Sequence, residues 1–377
     1  MRIGIFTDTY FPQTSGVSTS IETLCEELRE HGHEVYLFTT TDPGAKPAKH
    51  IFRYRSVPFV FFKERRVATP LLHRVYRQVK QLHLDLIHTQ TEFGLGLCGQ
   101  QVARMLHIPL VHTYHTWYEH YLHYIFNGRL IHRKTVQVLS KWFCNRTNEI
   151  VVPSAMMGDV LADYGVSRPI NAISTGVQIP PRISDDLRCS MRQSLGLPDD
   201  AIVLLSVNRL AEEKNLDALL EHFKACYDQD HRLRLVLVGD GPEREKLEHL
   251  IRKLYIQEQV IMTGMVAHDE VSHFYQMADV YVNLSVTETQ GLTFSEAIVN
   301  RLPIVALAND YLSSLNKQQQ IGILLEDPDD LYQAIQEVMV SREAIVNHLD
   351  LLTPYVSSDH FYQQMITVYE RLVNSDN

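Results

Sequence analysis

The chain has 377 residues, enough for two domains, and its 45% hydrophobic and 21% charged residues are those of a globular protein rather than a disordered or fibrous one. Five scattered cysteines, odd in number and without paired metal spacing, point to reduced thiols and away from a zinc site. No stretch approaches the ~20 apolar residues of a membrane span. Net charge is −10 but uneven: residues 1–180 carry 19 Lys+Arg against 14 Asp+Glu, and the remainder 16 against 31.

The start, Met1-Arg2-Ile3-Gly4-Ile5-Phe6, runs straight into an apolar strand, so no secretory signal is expected. A loop with Pro12 and Gly16 follows, then a helix with Ile21, Leu24, Cys25 and Leu28 at helical spacing. Glu34–Thr39 is the next strand. This β-loop-α-β order predicts the opening of a doubly wound parallel sheet, in which ligands bind at the carboxyl ends of strands. Gly16 lies in such a loop, where a glycine lets backbone approach a ligand or serves only to turn the chain. Further strands are predicted at Leu84–Thr89, at Ile108–Thr116 with His115 at its carboxyl end, and at Ile150–Val152. Ile179-Pro180-Pro181-Arg182 reads as a linker.

Residues 52–83 depart from this rhythm. Arg53, Arg55, Lys63, Arg65, Arg66, Arg74, Arg77 and Lys80 stand against one acid, Glu64, interleaved with Phe59, Phe61 and Phe62. A second basic, aromatic segment runs from Tyr118 to Arg146, with Tyr121, Tyr124, Phe126, Arg129, Arg133, Lys134 and Lys141. Such mixtures suit an anionic lipid surface. Nucleic acid is the rival partner, but no recognition motif accompanies the charge, and a solvated helix face would also give this pattern.

The second half restarts the strand–helix alternation at Ala201–Val207, Leu233–Val238, Val260–Met265, Ala278–Leu284 and Ile304–Ala306. Gly239-Asp240-Gly241 lacks the rest of a dinucleotide fingerprint and signals a tight turn. After the strand at 278–284 comes Val286-Thr287-Glu288-Thr289-Gln290-Gly291-Leu292-Thr293-Phe294-Ser295-Glu296, a turn entering a helix. A helix start offers unpaired N–H groups and a positive dipole end to phosphate. Glu288 and Glu296, with seven residues between them, supply carboxylates that accept strongly from hydroxyls. Phosphate donors flanked by acids suit a sugar nucleotide, one acid for the hexose and one for the ribose. A dipole-stabilised helix start with a turn glycine would look the same in isolation.

Glu-x7-Glu with Gly291-Leu292 inside it resembles the donor signature of the retaining GT-B glycosyltransferases of family 4. Phe6-Thr7-Asp8-Thr9-Tyr10-Phe11-Pro12 with Gly16-Val17, Tyr114-His115-Thr116, Val152-Pro153-Ser154, Thr175-Gly176-Val177, Arg209 with Lys214, Val238-Gly239-Asp240-Gly241-Pro242 and Thr263-Gly264 occur in that family's order. The N-terminal run and His112-Thr113-Tyr114-His115-Thr116-Trp117-Tyr118 look most like the bacterial α-monoglucosyldiacylglycerol synthases. The resemblance implies an α/β fold of the GT-B kind: two Rossmann-like doubly wound parallel-sheet domains facing a central cleft. Residues 1–178 would form the acceptor and membrane-binding domain, 179–358 the nucleotide-sugar domain, and 359–377 a helix crossing back toward the first domain.

It also implies roles. Arg209 and Lys214 would hold the diphosphate and neutralise departing UDP. Glu288 would bind the hexose hydroxyls, and Gln290, Gly291, Leu292 and Thr293 would present backbone N–H groups. Glu296 would hold the ribose, Met265 and Val266 would flank uracil, Gly16 would approach the diphosphate, and His115 would touch the sugar near the reacting carbon. The donor implied is UDP-glucose and the acceptor diacylglycerol, at the inner face of the cell membrane, with peripheral attachment. No tightly bound cofactor and no essential metal is expected. Asn300-Arg301-Leu302-Pro303 and Ala308-Asn309-Asp310-Tyr311-Leu312 depart from the family pattern beside the donor site and bear on sugar selectivity. The alternatives are a related enzyme with a soluble or polysaccharide acceptor, and a non-catalytic sugar-nucleotide-binding protein.

Overall fold

The computed structural model describes residues 1–13, 15–58, 66–119, 132–285, 288 and 290–375. The chain divides into two units, Met1–Gly176 with Ser358–Asn377, and Val177–Ser357.

The first unit is built on β1 (Arg2–Phe6), β2 (Glu34–Thr40) and β3 (Ile51–Tyr54). A small antiparallel hairpin, β4 (Ser56–Pro58) with β5 (Arg66–Ala68), follows. The sheet continues with β6 (Leu86–Thr89), β7 (Leu110–Thr113), β8 (Glu149–Val152) and β9 (Ile170–Ala172). Its order is β3-β2-β1-β6-β7-β8-β9, all parallel. Residues 52–54, which the sequence pattern set outside the strand–helix rhythm, therefore lie on an edge strand of the main sheet.

Strand alternation divides the first core into two faces. Ile3, Ile5, Val35 and Leu37 pack with the helix Gly16–Glu30 and with Met365 and Tyr369 of the C-terminal helix Ser358–Ser375. Phe6, Tyr36 and Phe38 pack on the other face with Val75, Val79 and Val102, under the helices Leu72–Leu82 and Gly94–Leu106. The C-terminal helix is further tied by Arg371, whose Nε donates to Glu149 Oε1 at 2.9 Å. Cys25, Cys98, Cys144 and Cys226 are buried free thiols and Cys189 an exposed one.

The second unit holds β10 (Ile202–Val207), β11 (Leu233–Val238), β12 (Val260–Gly264), β13 (Val280–Asn283), β14 (Ile304–Leu307) and β15 (Gly322–Leu325). They lie in the order β12-β11-β10-β13-β14-β15, again all parallel. Near-continuous apolar runs such as Ile202–Leu205 suit strands covered on both faces. The strand order reverses between β10 and β13, and in such sheets the crevice outside the carboxyl ends at that point takes the ligand. The first and last residues of this unit meet: Val177 pairs with Ser357, and its N–H donates to Val356 O at 2.9 Å.

Candidate active site

The loops leaving β10, β11 and β13 place the predicted donor residues. After β10, the Asn208-Arg209-Leu210 backbone is laced to the turn after β11: Asn208 N donates to Val238 O and Leu210 N to Asp240 O, each at 3.0 Å. The two glycines of that turn are needed for this approach. A Cβ at Gly239 would stand 1.9 Å from Asn208 O, and one at Gly241 2.3 Å from Leu210 O. Gly239-Asp240-Gly241 is thus more than a turn; it seats the backbone that exposes Arg209.

Lys214 ends a short 3₁₀ turn, Glu212–Lys214, before the helix Leu216–Tyr227. Two hydrogen bonds fasten this turn to the segment after β13: Asn215 Nδ2 donates to Leu284 O and Ser285 Oγ to Glu213 O, each at 3.1 Å. Lys214 is thereby brought to Glu288, with Nζ 2.5 Å from Oε1 and both side chains largely buried. Val286, Thr287 and Thr289, which flank Glu288, lie outside the described residues.

The eight-residue helix Leu292–Val299 starts from Gly291, whose φ of 73° is left-handed, and no side chain caps it. A Cβ at Gly291 would stand 2.7 Å from the Phe294 ring and 3.4 Å from Glu288 Oε2, so both conformation and space require glycine here. The first-turn N–H groups of an uncapped helix are a ready anion site. Glu296, one turn in, accepts from Tyr275 OH at 2.6 Å, and the same phenol reaches Thr293 O at 3.3 Å. Burial, then the neighbouring Glu296 carboxylate, pushes the Tyr275 phenol well above its ordinary value, so it stays a donor. Tyr281 OH donates to Thr293 Oγ1 at 2.7 Å. Gln290 is buried, Leu292 half-buried, and Val266 packs partly on the core, whereas Met265 is exposed.

Lys214, Glu288, Gly291, Thr293 and Glu296 therefore form one connected group at the carboxyl edge of the second sheet. Tyr275 and Tyr281, which order it, were not singled out from sequence, because a buried tyrosine and a buried phenylalanine give the same periodicity. Arg301 and Asp350, neighbours in space, pair elsewhere on the exposed surface. The sequence also contains two Asp-x-Asp triplets away from the donor turn, both used locally. Asp228 and Asp230 pair with Lys224 and Arg232, and Asp327 accepts from Asp329 N at 2.9 Å.

In the first unit, Gly16 is the first residue of its helix, not part of the preceding loop. Ser15 caps that helix in a reciprocal pair with Ser18, and this local closure moves the boundary back from the apolar-periodic positions. His115 follows β7 and hydrogen-bonds through Nε2 to Gln90 Oε1 at 2.6 Å. Burial, then the nearby His112, lowers its pKa to about 3, so the ring is neutral. A wider polar group surrounds it. His88 Nδ1 meets Tyr369 OH at 2.6 Å and its Nε2 meets Thr113 Oγ1 at 2.7 Å. His112 Nε2 lies 3.3 Å from Glu92 Oε1, and Tyr118 OH donates to Glu92 Oε2 at 2.5 Å. Asp8, buried, accepts from Thr91 Oγ1 and from the backbone N–H groups of Ala68 and Leu95, joining β1, the hairpin and the helix Gly94–Leu106.

The basic segment resolves into two kinds of residue. Arg53 is not available to a surface: its guanidinium donates to Thr40 O at 3.0 Å and Phe11 O at 2.9 Å, because it lies on the edge strand against the first loop. Burial lowers its pKa. Arg66 closes the hairpin on Ser56 Oγ at 2.8 Å. Arg55, Arg74, Arg77 and Lys80 are exposed, and the last three share one face of the helix Leu72–Leu82, opposite the buried Val75 and Val79. Lys63 and Arg65 lie outside the described residues, as do Glu64, the three phenylalanines between them and β4, Tyr121, Tyr124, Phe126 and Arg129. The helix Arg133–Cys144 exposes Val138, Leu139 and Trp142, with Lys134 and Lys141 beside them and the Arg146 guanidinium 4.1 Å from the Trp142 ring. Arg133 is held by Glu119 at 2.6 Å. Among the described residues, no helix is long and apolar enough to cross a membrane.

Comparison with known proteins agrees with this architecture. Residues 14–179 match the model of glycosyltransferase family 4, and residues 188–347 that of glycosyl transferases group 1. The α-monoglucosyldiacylglycerol synthase of Streptococcus pneumoniae is 40% identical, across all of this chain and 87% of its own length. The Acholeplasma laidlawii synthase of the same name is 29% identical, across all of this chain and 98% of its own. Among solved structures, Anabaena HepE in complex with UDP superposes with a TM-score of 0.80 at 17% identity, covering 99% of this chain and all of that one. Sucrose-phosphate synthase of Thermosynechococcus elongatus gives 0.79 at 20% identity, covering 99% of each chain. These likenesses establish the fold as GT-B, and with the family matches and the full-length relative they show that the chain is a glycosyltransferase belonging to family 4, in the group that contains the bacterial α-monoglucosyldiacylglycerol synthases.

Proposed function

We propose that the protein transfers glucose from UDP-glucose to the 3-hydroxyl of 1,2-diacylglycerol, with retention, making α-monoglucosyldiacylglycerol at the cytoplasmic face of the membrane. The observation that carries the donor half is the connected group at the second sheet's carboxyl edge. One cation, Lys214, one uncapped helix start behind Gly291, and two carboxylates, Glu288 and Glu296, serve the three parts of a sugar nucleotide. Lys214 and the exposed Arg209 neutralise the diphosphate, Glu288 accepts from hexose hydroxyls, and Glu296, held by Tyr275, accepts from the ribose. Gln290, Gly291, Leu292 and Thr293 supply the backbone around them, Met265 and Val266 border the base, and Gly16 approaches the diphosphate. The relatives in Streptococcus pneumoniae and Acholeplasma laidlawii, whose names specify a glucosyl group and diacylglycerol, support the choice of sugar and acceptor.

In this reaction the bond between glucose C1 and the UDP oxygen breaks and its electron pair leaves with UDP. Charge gathers on the β-phosphate, where Arg209 and Lys214 lower the barrier. The diacylglycerol hydroxyl bonds to C1 from the same face, and its proton passes to the departing phosphate oxygen. That order retains the anomeric configuration without a protein nucleophile. His115 contacts the sugar as a neutral ring.

The acceptor half rests on two helix faces. Arg74, Arg77 and Lys80 form a cationic face, and Val138, Leu139 and Trp142 an apolar one edged by Lys134, Lys141 and Arg146. Cations attract anionic headgroups, and exposed aliphatic and indole side chains enter the interface. The test is incubation with labelled UDP-sugars and a panel of lipids, with products separated by chromatography. Labelled glucolipid from UDP-glucose and diacylglycerol is the expected outcome. Transfer to a soluble sugar with none to lipid would replace this reading with the soluble-acceptor one.

A further inference from the structure

At the opposite end of the first sheet from its carboxyl-edge loops, the chain forms an open cavity of about 370 Å³ lined by Arg29, His33, Glu34, Val35, Lys49 and His50. Arg29 stands in the last turn of the helix Gly16–Glu30, Glu34 and Val35 begin β2, and Lys49 and His50 lead into β3. All six belong to the first unit. A cavity of this size falls at the small end of the range for small-molecule sites, roughly 300–1,000 Å³.

Its charge is not balanced. Arg29 and Lys49 are exposed, and among the described residues no ion pair or side-chain hydrogen bond involves them. The His50 ring lies 4.8 Å from the Tyr36 ring, and its nitrogens enter no hydrogen bond among the described residues. His33 is engaged at both nitrogens, by Met1 N at 3.1 Å and Tyr362 OH at 3.0 Å. Burial, then the N-terminal ammonium, lowers its pKa, so it forms a neutral wall. Glu34, the one carboxylate on the wall, accepts from Tyr36 OH at 2.6 Å and lies 3.6 Å from Arg2 Nε. Arg2 thus answers the charge of Glu34, and Arg29 and Lys49 are left without a countercharge in a chain of net charge −10. A helix end disfavours an anion, but the last carbonyls here are already taken. Those of Glu27, Leu28 and Arg29 accept from the N–H groups of His31, His33 and Gly32 at 3.1, 2.9 and 3.0 Å.

We propose that this cavity binds a small water-borne phosphomonoester, with Arg29 and Lys49 on the phosphate and His50 beside them. Such an ester carries close to two negative charges at neutral pH. The wall offers two permanent cations to match, a guanidinium fork and a flexible ammonium, both of them phosphate binders. A carboxylate brings one charge and would leave the second cation unanswered. A lipid headgroup is the other source of the same group. Among the described residues, however, none of the exposed large apolar side chains falls within 29–50; those of this unit lie elsewhere, as at Val57, Leu71 and Trp142, so none stands here to enter a bilayer beside the phosphate. The cavity lies wholly in the first unit and owes nothing to the donor or acceptor reading.

The experiment titrates the full chain with glycerol-3-phosphate by calorimetry, with ionic strength held constant by chloride. The His50 ring is followed by ¹⁵N-histidine NMR and assigned with His50→Ala. Arg29→Gln, Lys49→Gln and the double variant are compared with Lys46→Gln, which removes an exposed charge outside the cavity lining, and circular dichroism checks folding. Wild type and Lys46→Gln should bind one ester per chain and show movement of the His50 signal. Each single cavity variant should weaken binding by about tenfold, the scale of one charge-assisted contact, and the double variant should lose both the cavity's heat and the His50 movement. Unchanged affinity in the three cavity variants, an equal loss in Lys46→Gln, or a His50 signal that ignores the ester overturns the proposal. So does binding to phosphatidic acid vesicles that needs Arg29 and Lys49 while the soluble ester is not bound. Phosphate held by the second unit instead would give heat common to every variant and leave His50 unmoved.

Discussion

Lys214 and Glu288, 74 residues apart in the chain, meet with Nζ 2.5 Å from Oε1. Each occupies the other while no diphosphate is bound, so a ligand phosphate and a hexose hydroxyl must divide the pair between them. Lys214→Ala should weaken UDP binding by about 1.5–3 kcal/mol, the worth of a hydrogen bond to a charged group. Glu288→Gln should bind UDP at least as tightly as wild type, because Lys214 is then less neutralised, yet lose turnover. Calorimetry with UDP and a transfer assay separate the two; equal UDP affinity in Lys214→Ala would remove Lys214 from the diphosphate.

Tyr275 holds Glu296 from inside the core, through a phenol that its surroundings keep protonated. Tyr275→Phe preserves the ring packing and deletes one hydrogen bond. The expected result is a loss of UDP affinity of about 1 kcal/mol with little change in the kcat of the saturated enzyme. Glu296→Gln should act on the same parameter. A Tyr275→Phe enzyme with normal UDP affinity and lowered kcat would place Glu296 at the sugar instead of the ribose.

Arg74, Arg77 and Lys80 are exposed on one helix face, and none of the ion pairs among the described residues involves them. At about 1 kcal/mol for each charge near an anionic surface, replacing all three with Gln should weaken vesicle partition by about two orders of magnitude. Salt near 1 M, where the Debye length is about 3 Å, should do the same to wild type. Trp142→Ala should weaken binding in a way that salt does not restore or mimic. Co-sedimentation with vesicles containing anionic lipid is the measurement, and equal pelleting of wild type with neutral and anionic vesicles would reject this surface.

His88 is buried between Tyr369 and Thr113, and burial holds its pKa well below the ordinary value. The unfolded chain takes up a proton near the usual histidine pKa of about 6.5, whereas the folded one does not. Its contribution to stability is therefore complete above that pH and is lost as pH falls below it, by about 1.4 kcal/mol per pH unit. His115, also lowered, adds to the same slope. Denaturant titrations at pH 7.5, 6 and 5 should show stability falling in this window, and His88→Gln should flatten the fall.

The parallel strands and their carboxyl-edge loops were readable because a strand buried on both faces writes an unbroken apolar run, as at Ile202–Leu205. Glu288, Gly291 and Glu296 were readable because a turn, an uncapped helix start and two acids lie within one short stretch. Gln90, His88 and Tyr369 were not, since their meeting depends on three elements far apart in sequence, and a histidine followed two residues later by glutamine carries no local signature. The N-terminus of the Gly16 helix was placed late because Ser15 and Ser18 close it without an acidic residue at the third position. Basic residues gave a count and no direction: Arg53 faces backbone carbonyls and Arg74 faces solvent, a difference set by sheet position alone.

The pairing of Val177 with Ser357 has a consequence for biosynthesis. To the first unit, everything from 177 to 357 is an insertion whose ends touch, and the helix that completes its core is made after that insertion. Ile3, Leu24 and Leu28 must wait for Met365 and Tyr369 until the whole of 177–357 has been translated, by which time the second unit already has its full sequence. Of the two units, the one begun first thus finishes second, reversing the usual order of domains on the ribosome. A nascent chain stalled short of residue 358 would carry a completed second unit and an apolar face on the first, which is the surface a chaperone would cover.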